Sequence, residues 1–507
     1  MSEIAQLTPR IVWDYFDQIT RIPRPSKKEE KIMAYLVDFA KSHGLEYRRD
    51  GVGNLVIRKP ATEGMEDRST VVLQSHVDMV CEKNSSVNFD FEKDPIQTRI
   101  ADGWVTATGT TLGADCGIGM AAELAVLASA DVPHGPLECL FTVDEETGLT
   151  GAFGLGEDML SGKYLINLDS EDEGQIFIGC AGGIDTVATL NYRQEEPVKN
   201  YEFFRIDVSG LLGGHSGDDI EKGRANSNKV LNRFLWRIDA SDIDLRLAYF
   251  DGGNLRNAIP REAFAVFGVP SREVKRVRRF FEEFRDDLKR EYGTIETGMD
   301  LALTDMPAPD TVMDIEAQRS LLDAVCGVPN GVLAMSPVMP GMVETSTNLA
   351  SVKFVGELLV EITTSQRSAI QSARDAASAS VESVLRLAGA DVSRSDGYPG
   401  WNPDPDSRLL EVARSVYDKL FGAQPQVRSI HAGLECGLFL QKYPDLEMIS
   451  IGPTLRGVHS CGITILSIST HEALKYPRTH SLSTISLTTL YPYIFCCTCA
   501  RPLIYPS

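Results

Sequence analysis

Apolar residues at Ile32, Leu36 and Phe39 recur at helical spacing for about four turns, Ser26 and Glu29 stand at the separation of a capping box, and Gly44 supplies a stop. Short extended runs follow in LEYRR, NLVIRK and STVVLQSH, the last ending on a histidine. A glycine-rich loop then enters a helix of small residues, TTLGADCGIGMAAELAVLA, and two further apolar runs end in acids, PLECLFTVDEE and KYLINLDSEDEG. Strands alternating with helices predict an α/β unit whose parallel or mixed sheet is covered on both faces.

The pattern changes near residue 188. Alternating runs such as FFRIDVSG, LRLAYFDGG and AFAVFGVP interleave with a helix beginning near Lys222. Two long amphipathic patterns follow, SREVKRVRRFFEEFRDDLKREYG and SQRSAIQSARDAASASVESVLRLAGA. This is the texture of a separate α+β domain over 188–390, inserted into an α/β domain that occupies 1–187 and resumes over 391–460 with RLLEVARSVYDKLFG, HAGLECGLFL and EMISIGP. Residues 461–507 break the pattern again. They hold one acid (Glu472), thirteen Ser or Thr and four of the ten cysteines, and are expected to form a divergent, poorly packed tail.

Composition narrows the function. A chain of 507 residues exceeds one compact domain, and 43% hydrophobic with 24% charged residues is globular. The net charge of −21 disfavours nucleic acid as a partner, because that affinity comes from basic residues neutralising phosphates. No run of apolar residues reaches the ~18 that a membrane span needs. The opening MSEIAQLTPR lacks the basic and apolar regions of a secretory signal, and cysteines scattered singly through most of the chain suit reduced thiols, so a cytoplasmic protein is expected.

The eight histidines are few enough to read one by one. His76 ends an apolar strand, and Asp78, two residues on, projects to the same side; a carboxylate there would fix the imidazole tautomer for metal binding. Taken alone, this pair serves equally well as a structural histidine satisfied at a strand end. Asp115 stands at the turn into a helix, where an acid is also a common N-cap. Glu145 and Glu146 end one strand, Asp169 ends another, and His459 follows the apolar run EMISI. The set says more than its members: imidazoles and acids gathered beyond strand ends of one α/β sheet mark its ligand side. Mixed nitrogen and oxygen donors suit zinc, manganese or cobalt, and their number exceeds the needs of one catalytic zinc, so a carboxylate bridging two ions is the natural use of the surplus.

The ordered segments SHVDMV, GTTLGADCGIG, DEETG, LINLDSEDEG, GLLGGHSG, NLRNAIP, HAGLECG and GVHS resemble the aminoacyl-histidine, or cytosolic non-specific, dipeptidase branch of the dinuclear-zinc M20 metallopeptidases, over essentially all of residues 1–460. The resemblance implies a split catalytic domain and an inserted lid domain that mediates homodimerisation. It implies that His76 and Asp169 bind one metal ion, Glu146 and His459 the other, and that Asp115 bridges them. Zinc is the first choice of metal, with cobalt or manganese as substitutes. Asp78 would orient His76, and Glu145 would act as general base.

In the lid, His215 and Asn257 would contact substrate and oxyanion. Arg367 would receive the substrate carboxylate, though a solvated arginine at a helix start is the alternative for it. Glu435 lies in a shared motif without a definite role. The implied activity is hydrolysis of unblocked dipeptides, Xaa-His among them, by a metal-activated water. An N-acyl amino-acid deacylase or tripeptidase on the same scaffold is the nearest alternative. A product without turnover, impaired by the tail that begins just after His459, is the other.

Overall fold

The computed structural model describes residues 2–130, 132–356, 358–457 and 466–467. The chain divides into two compact units. Unit 1 holds Met1–Gly179, Pro403–Ser429 and the chain from Leu434 onward; unit 2 holds Cys180–Asn402 with Ile430–Gly433. These divisions fall some residues away from the changes of texture at 188 and 390. The reason is local: the strand Gly182–Asn191 begins before its alternating stretch becomes visible, and the segment after Leu387 continues into one more strand, Asp391–Arg394. The short return of 430–433 to unit 2 has no sequence signal at all.

Unit 1 is built on an eight-stranded mixed sheet. Its centre comprises β1 (Val71–His76), β2 (Leu137–Thr142), β3 (Tyr164–Asn167) and β4 (Glu447–Ser450), in spatial order β2, β1, β3, β4, all parallel. Register pairs His76 with Thr142, Gln74 with Asn167, and Asn167 with Ser450, so β1 and β2 end together and β3 and β4 end together two residues earlier, and the residues that follow β3 run on toward the level of His76. Antiparallel partners extend the sheet, Leu55–Lys59 beside β2 and Gln175–Cys180 beside β4. Every residue of β1 and β2 is buried, as expected of parallel strands covered on both faces. One cover is α1 (Ala114–Ala128), whose small residues let it pack closely; nearly all of it is buried.

The first expected helix runs over Glu30–Ser42 and ends, as the pattern predicts, just before Gly44 at φ +64°. Its capping box does not form. Ser26 Oγ donates instead to Asp78 Oδ2 (2.8 Å), and Glu29 Oε1 accepts from the backbone N–H groups of Lys27 and Asp144 (2.8 and 3.1 Å). After β4, α2 having preceded it at Glu435–Lys442, the described chain continues to Gly457. His459 and most of the expected tail lie outside the described residues; Leu466–Ser467 pair with Val105 and Trp104.

Unit 2 is an antiparallel sheet in the spatial order 300–306, 201–209, 263–270, 246–252, 343–355, 359–368, 182–191, 391–394, with Gly331–Met335 also paired to Val343–Val355. Alternating burial along Tyr201–Ser209 and Gly182–Asn191 marks one core face. The helix read near Lys222 begins later, at Ser227, where the Asn226 side chain accepts from the N–H groups of Asn228 and Lys229. Phe234 on that helix is fully buried among Phe267, Phe281 and Phe284, with ring centroids 5.5–6.1 Å away. Phe234→Ala should therefore cost about 3–5 kcal/mol of unfolding free energy in urea, monitored by far-ultraviolet circular dichroism. A loss under about 1 kcal/mol would mean that the cluster closes the cavity by repacking.

Candidate metal centre and cationic pocket

In unit 1 the carboxyl ends of the parallel strands deliver the acids to one place. His76, the last residue of β1 and 1% exposed, is the hub. Its Nε2 lies 3.0 Å from Asp115 Oδ1 and 3.3 Å from Asp169 Oδ1, while Nδ1 lies 3.3 Å from Asp78 Oδ1, at ion-pairing distance on the ring's other side. One donor atom from each of His76, Glu145 and Glu146 falls within a common 4.8 Å, as does one from each of His76, Cys116 and Asp169. The helix cap position is Gly113, where no side chain bonds, and Asp115 lies at a kink just inside it, with extended rather than helical dihedrals. The Asp115–Cys116 peptide is cis.

Asp78 is anchored on three sides. Besides Ser26 it accepts from the backbone N–H groups of Glu145 (3.0 Å) and Glu146 (3.2 Å). Burial opposes its ionisation, but His76 and these donors prevail and hold its carboxyl down to about 2. The remaining acids are driven the other way. Burial pushes Asp169 up to about 7 against the opposing pull of His76. Burial, reinforced by Asp169, Glu435 and Glu146, pushes Glu145 well up too, with His76 again opposing.

Asp169 Oδ1 is buried and makes no hydrogen bond among the described residues, and a single imidazole cannot neutralise the acids around it. Such a donor set fits a divalent cation that accepts both nitrogen and oxygen ligands. Cys116 Sγ donates to the Leu168 carbonyl, and burial raises its thiol. His459, the remaining expected ligand, lies outside the described residues.

Glu435 has a definite place. It opens α2, is fully buried, and its Oε2 accepts from Gln74 Nε2 (2.6 Å) and Thr142 Oγ1 (2.8 Å). Gln74 Oε1 accepts from Asn167 Nδ2 (2.6 Å), and Ser450 Oγ donates to Asn167 Oδ1. This ladder crosses β2, β1, β3 and β4 just beneath the acids. Burial pushes the Glu435 carboxyl up to about 8.

Unit 2 gathers cations. Paired segments join Gly214 and His215 to Ile259 and Ala258, and the Asn257 carbonyl accepts from Ser216 N (2.8 Å), so His215 and the exposed Asn257 sit on adjoining strands. The N–H groups of Gly217 and Asp218 point at His215 Nδ1 (3.2 Å each), which leaves the ring proton on Nε2. Arg367 is not a solvated residue at a helix start. It lies in the strand Leu359–Ser368, 7% exposed, opposite Ser346, and Nη1 donates to Tyr398 Oη (3.0 Å) while Nε has no hydrogen-bond partner among the described residues. Ser346 Oγ bonds His431 Nε2 (2.7 Å). His431 went unread in the sequence; nothing but its place in HAGLECG marked it.

The family model for peptidase family M20/M25/M40 matches residues 72–462. Over 460 residues the chain is 46% identical to the cytosol non-specific dipeptidase of Escherichia coli strain K12, covering 91% of this chain and 94% of that protein. The crystal structure of an aminoacylhistidine dipeptidase from Vibrio alginolyticus aligns with a TM-score of 0.89 and 42% identity, over 99% of this chain and 98% of that one. Aminopeptidase PepT of Bacillus cereus ATCC 10987 aligns with a TM-score of 0.55 over 97% of this chain and 98% of its own; at 16% identity this is a likeness of fold.

Burial, with the positive fields of Arg367 and His215, pulls His431 down to about 3. A free histidine titrates near ~6.5, so between these values the unfolded chain binds the extra proton. The stability tied to neutral His431 is complete above about pH 6.5 and is lost as pH falls toward about 3, by at most about 1.4 kcal/mol per pH unit. His431→Gln should flatten this part of the acid slope in urea titrations. An unchanged slope would mean that the folded ring is already charged.

Proposed function

The chain belongs to peptidase family M20/M25/M40, and from that premise we propose that it is a metallodipeptidase whose unit 1 holds two divalent metal ions. The observation that carries this reading is the donor set around His76: one imidazole, oriented by a deeply ionised Asp78, facing Asp115 and Asp169, with Glu145 and Glu146 beside it. His76 and Asp169 would hold one ion and Glu146 and His459 the other, with Asp115 available to both. Zinc is the first candidate, with cobalt or manganese able to replace it. When bound, the ions supply the Lewis acidity that makes water a nucleophile near neutral pH.

Glu145 takes the proton of the attacking water and hands it to the departing amine. Its position supports that role: its N–H is fixed by Asp78, so the carboxylate emerges beside His76 and Glu146. The substrate is a dipeptide with a free amino group, Xaa-His among those accepted. Arg367 takes its carboxylate, since a buried guanidinium with an unpartnered Nε and one edge pinned by Tyr398 is set to bind a planar anion. His215 offers its Nε2 proton to the developing oxyanion and Asn257 assists. The enzyme is cytoplasmic and dimerises through unit 2.

Elemental analysis after exhaustive dialysis should find two ions per chain, and a chelator should abolish turnover reversibly. Glu145→Gln should retain both ions and lose about 10²–10⁴-fold in kcat. A variant keeping more than roughly a tenth of the rate would remove Glu145 from the role of base. Cleavage of Ala-His but not of N-acetyl-histidine separates a dipeptidase from a deacylase, and the reverse preference would sink the substrate assignment.

A further inference from the structure

Arg24 is 1% exposed, in the segment RIPRPS that precedes the helix Glu30–Ser42, yet none of the steps above uses it. Its guanidinium reaches two separate stretches of backbone. Nη1 donates to the carbonyls of Val77 (2.9 Å) and Asp78 (2.7 Å), and Nη2 donates to the carbonyl of Gly113. The first stretch follows His76 and includes Asp78; the second leads into Asp115. The surroundings are shaped to this fork. A Cβ at Gly113 would fall 2.5 Å from Nη2, and one at Gly117 would fall 2.7 Å from it.

A buried guanidinium is costly, and these bonds go to neutral carbonyls rather than to a carboxylate fork. A fixed positive charge beside a site for cations also opposes their binding by simple Coulomb repulsion. Neither cost is explained by satisfying three carbonyls, which neutral donors would do without burying a charge. Both are explained if the geometry of the fork matters: it spans two loops at fixed separation, as lysine, a single point donor, cannot.

We infer that Arg24 is a positioning residue for the metal centre, tying the main chain at Val77 and Asp78, just after His76, to that at Gly113, two residues before Asp115, so that ligands from both loops are spaced before an ion arrives. The inference rests on the two-metal reading above. Outer partners of metal ligands typically govern affinity by about 10–100-fold, and Arg24 acts on the backbone that carries the ligands.

Arg24→Lys isolates the fork, because it keeps the charge. Competition against a chelating dye should show affinity for Zn²⁺ and Co²⁺ reduced by about 10–100-fold, with an altered visible spectrum of the Co²⁺ form. Gly117→Ala leaves the arginine in place but crowds Nη2, in a helical position where alanine is intrinsically favoured, and should weaken affinity in the same sense. Phe39→Ala, in the packed end of the helix Glu30–Ser42, serves as the reference for general destabilisation. Affinity of Arg24→Lys and Gly117→Ala within twofold of the parent protein, or no weaker than that of Phe39→Ala, would reduce Arg24 to a structural residue. If Arg24→Lys does not fold, Gly117→Ala decides alone. A parent protein that binds no metal would overturn both this inference and the reading beneath it.

Discussion

Negative charge confined to the carboxyl end of a parallel sheet is the constraint on which unit 1 is built. β1, β2, β3 and β4 all end on this side of the sheet, within two residues of one another in register, and the acids that follow β1, β2 and β3 are brought together there. The protein meets this by dividing labour. Asp78 is given backbone donors from Glu145 and Glu146 and stays ionised, while burial raises Glu145 and Asp169. Beneath them the ladder from Glu435 through Gln74 and Asn167 to Ser450 links all four strands by side chains. Buried polar groups rigidify a core when each finds a partner, and here they fix strand ends against one another, where a shift of one residue would scatter the donor set.

Unit 2 solves the opposite problem. Its antiparallel register sets Ser346 across from Arg367, and Ser346 in turn holds His431. A guanidinium and two imidazoles then share one neighbourhood, and the imidazoles yield: burial and the cationic field keep His431 neutral and lower His215 as well. Positive charge is thereby concentrated on Arg367. The net charge of −21 describes neither neighbourhood, since local fields follow nearby groups rather than the sum.

How far the molecule is legible in its sequence depends on whether a residue's task is local. His76, Asp115, Glu145, Glu146 and Asp169 can be picked out because each stands at the end of an apolar run or the start of a helix, and parallel strands carry such places to one edge. His215 and Asn257 sit in glycine-rich loops that only a resemblance singles out. Arg367 reads as a helix start because SQRS precedes a helical pattern, but strand pairing carries the chain through Ser368 before the helix opens at Gln371. Arg24, His431 and Glu435 leave almost no trace: a buried polar residue with distant partners looks, in one dimension, like a polar residue in a loop. The division between units shows the same limit, since 430–433 joins unit 2 through contacts made across long stretches of chain.

The fate of Ser26 and Glu29 shows why local signals lose when they do. As a capping box they would be worth about 1 kcal/mol to the helix Glu30–Ser42. The same oxygens placed on Asp78 and on the N–H of Asp144 serve buried groups, where a missing partner costs about 1–3 kcal/mol and more beside a charge. The heavier penalty decides the outcome, and the helix forgoes its side-chain cap. It survives the loss because Ile32, Met33, Leu36, Phe39 and Ala40 are buried along one face, and packing of this kind outweighs propensity and caps in short helices. Ser26, Glu29 and Arg24 thus act as one segment: a stretch that reads as the preface to a helix bonds instead to the loops around Asp78, Gly113 and Asp144.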